Sequence, residues 1–153
     1  MTNDTLLFGS VSTLRQQLRD RAVSSEELTR ACLDRIEACN AALNAVVTVC
    51  AEQAINSARE ADKAIARGDL ASLTGIPLLH KDIFCTNGVR TTCGSRMLEQ
   101  FVPAYDATVV SRMQAEGAVM LGKCNMDEFA MGSSNETSFF GAVKNPWDLN
   151  CVP

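Results

Sequence analysis

A lysine and an aspartate end a short apolar segment near the middle of the chain. Residues 75–82 read Gly-Ile-Pro-Leu-Leu-His-Lys-Asp, so a turn signal leads into a strand-like run that ends at Lys81 and Asp82. A lysine ammonium that is desolvated at the mouth of a pocket loses its proton more readily, and the neutral amine can then act as a base. The alternative is a solvated Lys81–Asp82 pair that only marks where the core stops.

A second unusual segment lies at 122–138, where an apolar and acidic turn is followed by small hydroxyl and amide residues. Such a run can offer several N–H groups and hydroxyls to one polar substrate group, or it can be an ordinary loop. Asp127 and Glu128 are adjacent, so on a helix their side chains point about 100° apart. They therefore do not form a paired general acid and base, and a glycosidase has little support.

The seven cysteines and the single histidine, His80, argue against a metal site. No two cysteines have C-x-x-C spacing, the pattern that a zinc site built from these residues would need. A catalytic Cys–His pair would have to use His80, and no cysteine follows a recognisable nucleophile turn. We interpret the cysteines as small core residues in a reducing compartment.

Helical periodicity and capping signals predict the elements that carry these residues. Helices are expected over 10–21, from Ser24 to about Asn40, over 51–67 with Gly68 at the C-cap position, and from an N-cap at Asp106 to near Gly117. Strands are expected over 45–50, 75–82 and 118–121. Thr91, Thr92, Gly94 and Ser95, in the loop-rich stretch after Asp82, line a pocket or make turns. Strand, helix and strand alternate, so the sequence predicts an α/β layer with helices covering a mainly parallel sheet.

Composition narrows the class of protein. The chain has 153 residues, of which 46% are hydrophobic, enough for a core and too many for disorder. Its net charge of −4 argues against a non-specific binder of nucleic acid or anionic membranes. No apolar run has the length of a membrane span, and Met1–Gly9 lacks the features of a secretory signal. We therefore expect a cytoplasmic protein.

Five motifs together resemble the amidase signature family. They are Gly-Ile-Pro-x-x-x-Lys-Asp at 75–82, Gly-Val-Arg-Thr-Thr at 88–92, Phe-Val-Pro-Ala-Tyr-Asp-Ala-Thr-Val-Val at 101–110, Gly-Lys-x-Asn-Met-Asp-Glu-Phe-Ala-Met-Gly-Ser-Ser at 122–134, and Asn-Pro-Trp-Asp at 145–148. The fourth motif is similar to that of one group in the family, the A subunits of glutamyl-tRNA(Gln)/aspartyl-tRNA(Asn) amidotransferases. The resemblance implies N-terminal helices (1–68) followed by the start of an amidase core (69–153), a mixed α/β fold truncated within a single amidase domain.

The resemblance also implies a Ser–cis-Ser–Lys triad in which Lys81 is the lysine. Met131, Gly132, Ser133 and Ser134 match the loop that borders the substrate amide, and Asp82 is expected to orient the structure beside Lys81. His80 departs from the apolar residue expected there, and we expect it to be a core histidine facing away from the pocket. The Gly-Ser-rich segment that carries both serines of the family is expected directly after Pro153.

The implied function is glutamine hydrolysis that supplies ammonia for the amidation of Glu-tRNA(Gln) or Asp-tRNA(Asn). The implied partners are the B and C subunits of a heterotrimer, glutamine, and mischarged tRNA through a partner subunit. No cofactor is expected on this chain, whereas the complex uses ATP and Mg through the partner. Two alternatives remain: a general amidase for another small amide, and a module without catalysis that only folds or binds. As a 153-residue piece, the chain is expected to be inactive and to self-associate.

Overall fold

Helix formation in the first third of the chain follows its caps and its apolar spacing. In the computed structural model, which describes residues 7–153, helix α1 spans Val11–Arg19. The Ser10 side chain accepts a hydrogen bond from the Thr13 N–H, and Leu14 and Leu18 are buried, as their four-residue spacing predicts. Most of the stretch for which a secretory signal was excluded lies outside the described residues.

Helix α2 spans Ser25–Leu43 and begins with the predicted capping box. The Ser24 N–H donates to a Glu27 carboxylate oxygen at 2.8 Å, and the Glu27 N–H donates to Ser24 Oγ at 3.0 Å. The predicted end at Asn40 is wrong, since the helix continues to Leu43. The Asn40 amide instead makes hydrogen bonds to both the N–H and the carbonyl of Val46, so this residue anchors the following strand.

Helix α3, Ala51–Arg67, has the bounds that its apolar stripe predicts. Gly68 ends it with φ +82°, a left-handed conformation that glycine adopts without steric penalty. The buried side chains of the helix recur at helical spacing; they are Ala54, Ala58, Ala61 and Ile65.

Three strands form one sheet in the order β1-β3-β2: β1 is Val46–Val49, β2 is Pro77–Lys81 and β3 is Val119–Cys124. Strands β1 and β3 are antiparallel, with Val46 opposite Cys124. Strands β2 and β3 are parallel. The Val119 N–H donates to the Ile76 carbonyl near the start of the pair, and the Asp82 N–H donates to the Cys124 carbonyl near its end. The predicted mixed α/β fold is confirmed. The described residues contain one antiparallel strand pair, β1 with β3, and one parallel pair, β2 with β3.

Helix α4 spans Thr108–Ala115 and corrects one cap prediction. Its first hydrogen bond runs from the Ser111 N–H to the Ala107 carbonyl, so Asp106 lies one residue before the cap. The Asp106 carboxylate accepts the Asn87 N–H at 2.7 Å instead. Two single-turn 3₁₀ helices lie at Arg96–Leu98 and Glu128–Ala130.

The chain groups into two compact units. The first contains the segment ending at Arg35 together with Cys50–Leu78 and Arg112–Leu121, and the second contains Ile36–Val49, Leu79–Ser111 and Gly122–Pro153. The core of the first unit is an apolar cluster, made of Leu14, Leu18, Val23, Leu28, Ala31, Ile65 and Ile76. All predicted site residues lie in the second unit. The predicted division at residue 68 stays a prediction.

Two further predictions concern the cysteines and membrane spans. All seven cysteines are free thiols, and none is fully buried: six are half-buried and Cys151 is exposed. Cys32 packs against the core cluster of the first unit, as predicted, whereas exposed Cys151 contradicts the prediction of a core position. Within residues 7–153, no helix is both long and apolar enough to cross a membrane.

Candidate active site

Lys81 is the last residue of β2, and its side chain is exposed, whereas the neighbouring His80 and Asp82 are buried. Successive side chains of a strand point to opposite faces, which explains this alternation. Among the described residues, no side chain or backbone group forms a hydrogen bond or an ion pair with the Lys81 amine. The amine is therefore open to other groups, and the desolvation that the sequence argument required of a lysine base is not present among the described residues.

Asp82 fixes the backbone directly after Lys81. Its N–H donates to the Cys124 carbonyl at 3.0 Å and its carbonyl accepts the Cys93 N–H at 3.1 Å. One carboxylate oxygen, Oδ2, accepts both the N–H (2.9 Å) and the hydroxyl of Thr92. The carboxylate is 0% exposed, so the alternative of a solvated Lys81–Asp82 pair is wrong. The expectation that Asp82 orients the local structure agrees with these contacts.

The charge that balances Asp82 comes from Lys123, to which the sequence analysis gave no role. The Lys123 ammonium lies 3.6 Å from Asp82 Oδ1, and both side chains are 0% exposed. It also donates to the Phe84 carbonyl at 2.7 Å and to Thr91 Oγ1 at 2.9 Å. The only hint of this role in the sequence is that Lys123 follows the apolar residues of β3. Because lysines are usually exposed, this position does not by itself predict a buried ammonium.

His80 is buried, 6% exposed, as expected for a core histidine. Its ring packs edge-to-face on Phe84, with 6.5 Å between the ring centroids. Burial is the main cause that lowers the pKa of His80, and the nearby Lys123 charge lowers it further, whereas the Asp106 charge raises it. His80 is therefore a neutral packing residue and not a charged group at neutral pH.

The predicted substrate loop, Met131 to Ser134, lies on the surface. Met131, Gly132 and Ser133 are exposed and Ser134 is half-buried. The Ser134 hydroxyl donates to a Glu136 carboxylate oxygen at 2.6 Å. The Met131 N–H donates to the Glu128 carbonyl at 3.0 Å, so Gly132 and Ser133 are the exposed residues whose N–H groups and hydroxyl a substrate could reach.

Asp127 holds that loop from beneath. Its carboxylate accepts the Asn135 N–H at 2.8 Å, the Thr137 N–H at 3.2 Å and the Thr137 hydroxyl at 2.8 Å. These hydrogen bonds, above all the one from the Asn135 N–H, lower the pKa of Asp127. The sequence pattern suggested Asp127 only as a possible partner of Glu128 in an acid pair, and its role as a loop anchor was not predicted.

The turn that enters the loop has a strained backbone. Phe129 and Ala130 are consecutive non-glycine residues at φ +51° and +59°, in the left-handed region that such residues rarely adopt. Strain of this kind persists only where neighbouring contacts impose it, and it is concentrated at functional sites. The Phe129 N–H donates to the Cys93 carbonyl at 2.9 Å, which is one of those contacts.

The segment 92–95 connects the end of β2 to this loop. Cys93 donates its N–H to the Asp82 carbonyl and accepts the Phe129 N–H, while the Gly94 carbonyl accepts the Phe139 N–H at 2.8 Å. Gly94 has φ +65°, and a Cβ there would lie 2.5 Å from the Met126 carbonyl oxygen, so only glycine fits. Buried Ser95 donates to a Glu128 carboxylate oxygen at 2.5 Å. These residues therefore make structural turns, and Lys81 and the loop share one hydrogen-bonded framework.

Comparisons with known proteins show which family the chain belongs to. The family model described as Amidase matches residues 27–153. The chain belongs to the amidase family. The described part of this amidase chain brings no three His, Cys, Asp or Glu side chains together as a metal-binding group.

Curated relatives and a solved structure refine the placement within the amidases. The chain is 56% identical over 144 residues to the A subunit of the glutamyl-tRNA(Gln) amidotransferase of Geobacter sp. (strain M21), and 59% identical over 144 residues to its counterpart of the same name in Marinomonas sp. (strain MWYL1). Each match covers 94% of this chain and 30% of the relative, so the chain spans about a third of the length of these proteins. The native peptide amidase from Stenotrophomonas maltophilia is 34% identical, with a TM-score of 0.85, over 93% of this chain and 31% of that one.

Proposed function

We propose that this chain is the N-terminal part of the glutamine-hydrolysing subunit of a tRNA-dependent amidotransferase, and that Lys81 is its catalytic base. The observation that carries the proposal is the exposed Lys81 amine at the end of a strand whose next residue, Asp82, is buried and fixed by four hydrogen bonds. The identity of 56–59% to subunits named for that reaction supports the choice of substrate.

In the proposed reaction, a serine hydroxyl attacks the side-chain amide carbon of glutamine. Its proton passes through a second serine to the Lys81 amine and then to the departing ammonia, so an acyl-enzyme forms as the C–N bond breaks. Water then hydrolyses the ester and releases glutamate. Both serines are expected in the part of the relatives that this chain does not span.

The loop from Met131 to Ser134 is proposed to bind the substrate without transferring protons. The N–H groups of Gly132 and Ser133 and the Ser133 hydroxyl, on exposed residues, can make hydrogen bonds to the amide or to the α-substituents of glutamine. The anchoring of the loop by Asp127 preorganises these donors, which favours binding because less conformational entropy is lost.

The proposal includes partners that follow from the reaction. Ammonia has to reach a subunit that activates the glutamyl or aspartyl group on mischarged tRNA with ATP and Mg, and we assign that step to the B subunit of a heterotrimer with a C subunit. No residue of this chain is proposed to hold ATP or a metal. The reaction serves protein synthesis, so we expect it in the cytoplasm.

The test uses the full-length protein with its partner subunits and measures glutamate released from glutamine. We expect Lys81→Ala to lower kcat by about 10³-fold or more, since it removes the general base. Lys144→Ala removes an exposed lysine of the same unit and should leave the rate unchanged. Wild-type kcat in the Lys81→Ala variant would refute the proposal.

The second candidate is a general amidase for another small amide, and the similarity to a peptide amidase favours it. Hydrolysis of simple amides without any partner, and faster than glutamine, would support this candidate. Stimulation of glutamine hydrolysis by a tRNA-amidating partner would support the first. Absence of all amide hydrolysis in the full-length protein would leave the third alternative, a module that only folds or binds.

A further inference from the structure

The buried Lys123–Asp82 pair is the most demanding electrostatic feature of the described residues. Removing two charges from water is costly, and their attraction offsets that cost only where the geometry is good and the remaining donors are satisfied. Lys123 meets the condition, because its ammonium contacts the Phe84 carbonyl, Thr91 Oγ1 and Asp82. The proposed chemistry uses none of these contacts, so the pair needs another explanation.

Asp82 depends on Lys123 in a specific way. Its Oδ2 is hydrogen-bonded by Thr92, whereas its buried Oδ1 has no hydrogen-bond partner among the described residues. The Lys123 ammonium, 3.6 Å from Oδ1, is therefore the charge that offsets the burial of this oxygen. Without Lys123, the carboxylate would be buried with one oxygen uncompensated.

Lys123 influences the position of Lys81 through the backbone of Asp82. Asp82 follows Lys81 directly, and its N–H donates to the carbonyl of Cys124, the residue next to Lys123 in β3. Lys123 therefore ties β3 to the end of β2 and, through Phe84 and Thr91, to the loop that follows. Because Lys123 is 0% exposed, it cannot contact a substrate and acts only through its neighbours.

We propose that Lys123 is a positioning residue for Lys81, holding the end of β2 through buried Asp82 and the loop at Phe84 and Thr91. This inference rests on the proposed role of Lys81 as the base. It predicts an effect on the chemical step and not on substrate binding, since Lys123 fixes where the base stands and is itself fully buried.

The test measures kcat and KM for glutamine hydrolysis in the full-length protein with its partners, per folded molecule. Lys123→Met should lower kcat by about 10- to 100-fold, because a small displacement of a catalytic group has effects of that size, while KM changes less than about threefold. The double variant Asp82→Asn/Lys123→Met removes both charges and should be several-fold more active than Lys123→Met alone. Lys123→Arg keeps the charge and should recover part of the loss.

A milder variant covers the case in which Lys123→Met does not fold. Thr91→Val removes the hydrogen bond from the Lys123 ammonium to Thr91 Oγ1, together with the one from that hydroxyl to the Val89 carbonyl, and should lower kcat by about three- to tenfold. Thr29→Val is the matched control, because Thr29 is equally buried and its hydroxyl has no partner among the described residues. Equal kcat in Thr91→Val and Thr29→Val would overturn the positioning role.

The two proposals fail differently. If Lys81→Ala loses activity while Lys123→Met, once folded, keeps the wild-type kcat, only the positioning role is wrong. If Lys81→Ala keeps full activity, the proposed base is wrong, and the role of Lys123 toward it is overturned as well. A rise in KM with unchanged kcat in Lys123→Met would also contradict the inference.

Discussion

At the scale of single residues, Gly132 is the position where the substrate loop tolerates least change. A Cβ added there would lie 2.5 Å from Asp127 Cγ and 2.7 and 2.8 Å from its two oxygens. Three hydrogen bonds hold that carboxylate, so it cannot move aside without releasing Asn135 or Thr137. Close contact between Gly132 and Asp127 is therefore part of how the loop keeps its conformation.

We predict that Gly132→Ala displaces the loop and lowers kcat/KM for glutamine by about tenfold or more in the full-length protein. Most of the change should come from KM, because the loop is proposed to bind the substrate. Steady-state kinetics with a parallel thermal unfolding curve separates this from a general loss of fold. A Gly132→Ala variant with unchanged KM would show that the loop does not contact the substrate.

Single residues also mark where prediction from the sequence failed. Lys81 was found because its motif matches a family, but the buried state of Lys123 was not, since nothing in a Gly-Lys pair says that the ammonium has three partners. Asp127 was missed for the same reason: the groups that donate to it come from residues eight to ten positions later, a contact that periodicity does not report.

At the scale of elements, the helices of the first unit are joined by Glu26 at the start of α2. Its carboxylate accepts hydrogen bonds from Arg30 in the same helix and from Arg59 in α3, with distances of 2.6–3.0 Å. Arg59 first, and Arg30 next, lower the pKa of Glu26 to about 2. The ionised carboxylate is thus stabilised in the folded state relative to the unfolded state.

The sign of the pH effect follows from that shift. A group whose pKa is lower when folded stabilises the protein above its unfolded pKa, near 4.5, and this contribution is lost as the pH falls toward about 2. We predict that Glu26→Gln lowers Tm at pH 7 and makes Tm less sensitive to pH between about 4.5 and 2. Thermal unfolding at several pH values measures both effects.

Glu60→Gln is the matched control, because the Glu60 carboxylate pairs with Lys63 within α3 and links no second helix. Its effect on Tm should be the smaller of the two, as expected for a pair within one exposed helix. An equal or greater effect of Glu60→Gln would show that the link between α2 and α3 does not contribute to stability.

Elements were predicted well where a local signal specifies both ends. The bounds of α3 were correct because an apolar stripe and a C-cap glycine agree, and the capping box fixed the start of α2. The end of α2 was placed too early, because Asn40 is a common C-terminal residue and its actual task, bonding to Val46 in β1, is a contact across a turn. Tertiary contacts of this kind are not encoded in periodicity.

At the scale of the whole chain, several large apolar side chains of the second unit remain exposed. Met97 is 83% exposed, Met131 82% and Trp147 94%. Scattered apolar residues are ordinary on a protein surface, and only a contiguous group of them marks a contact surface. The relatives are about three times as long as this chain, so their remaining residues are the natural candidates to cover these side chains.

We predict that the 153-residue chain, expressed alone, self-associates and binds an apolar dye. Sedimentation velocity should show an average mass that rises with concentration. Association removes apolar surface from water, which is favourable by about 25 cal/mol per Å² of buried apolar area. The triple variant Met97→Ser, Met131→Ser, Trp147→Ser should shift the chain toward monomer and weaken dye binding, whereas Lys144→Ser, an exposed polar control, should change neither. A monodisperse wild-type monomer without dye binding would show that these side chains need no cover, and the prediction of self-association would be wrong.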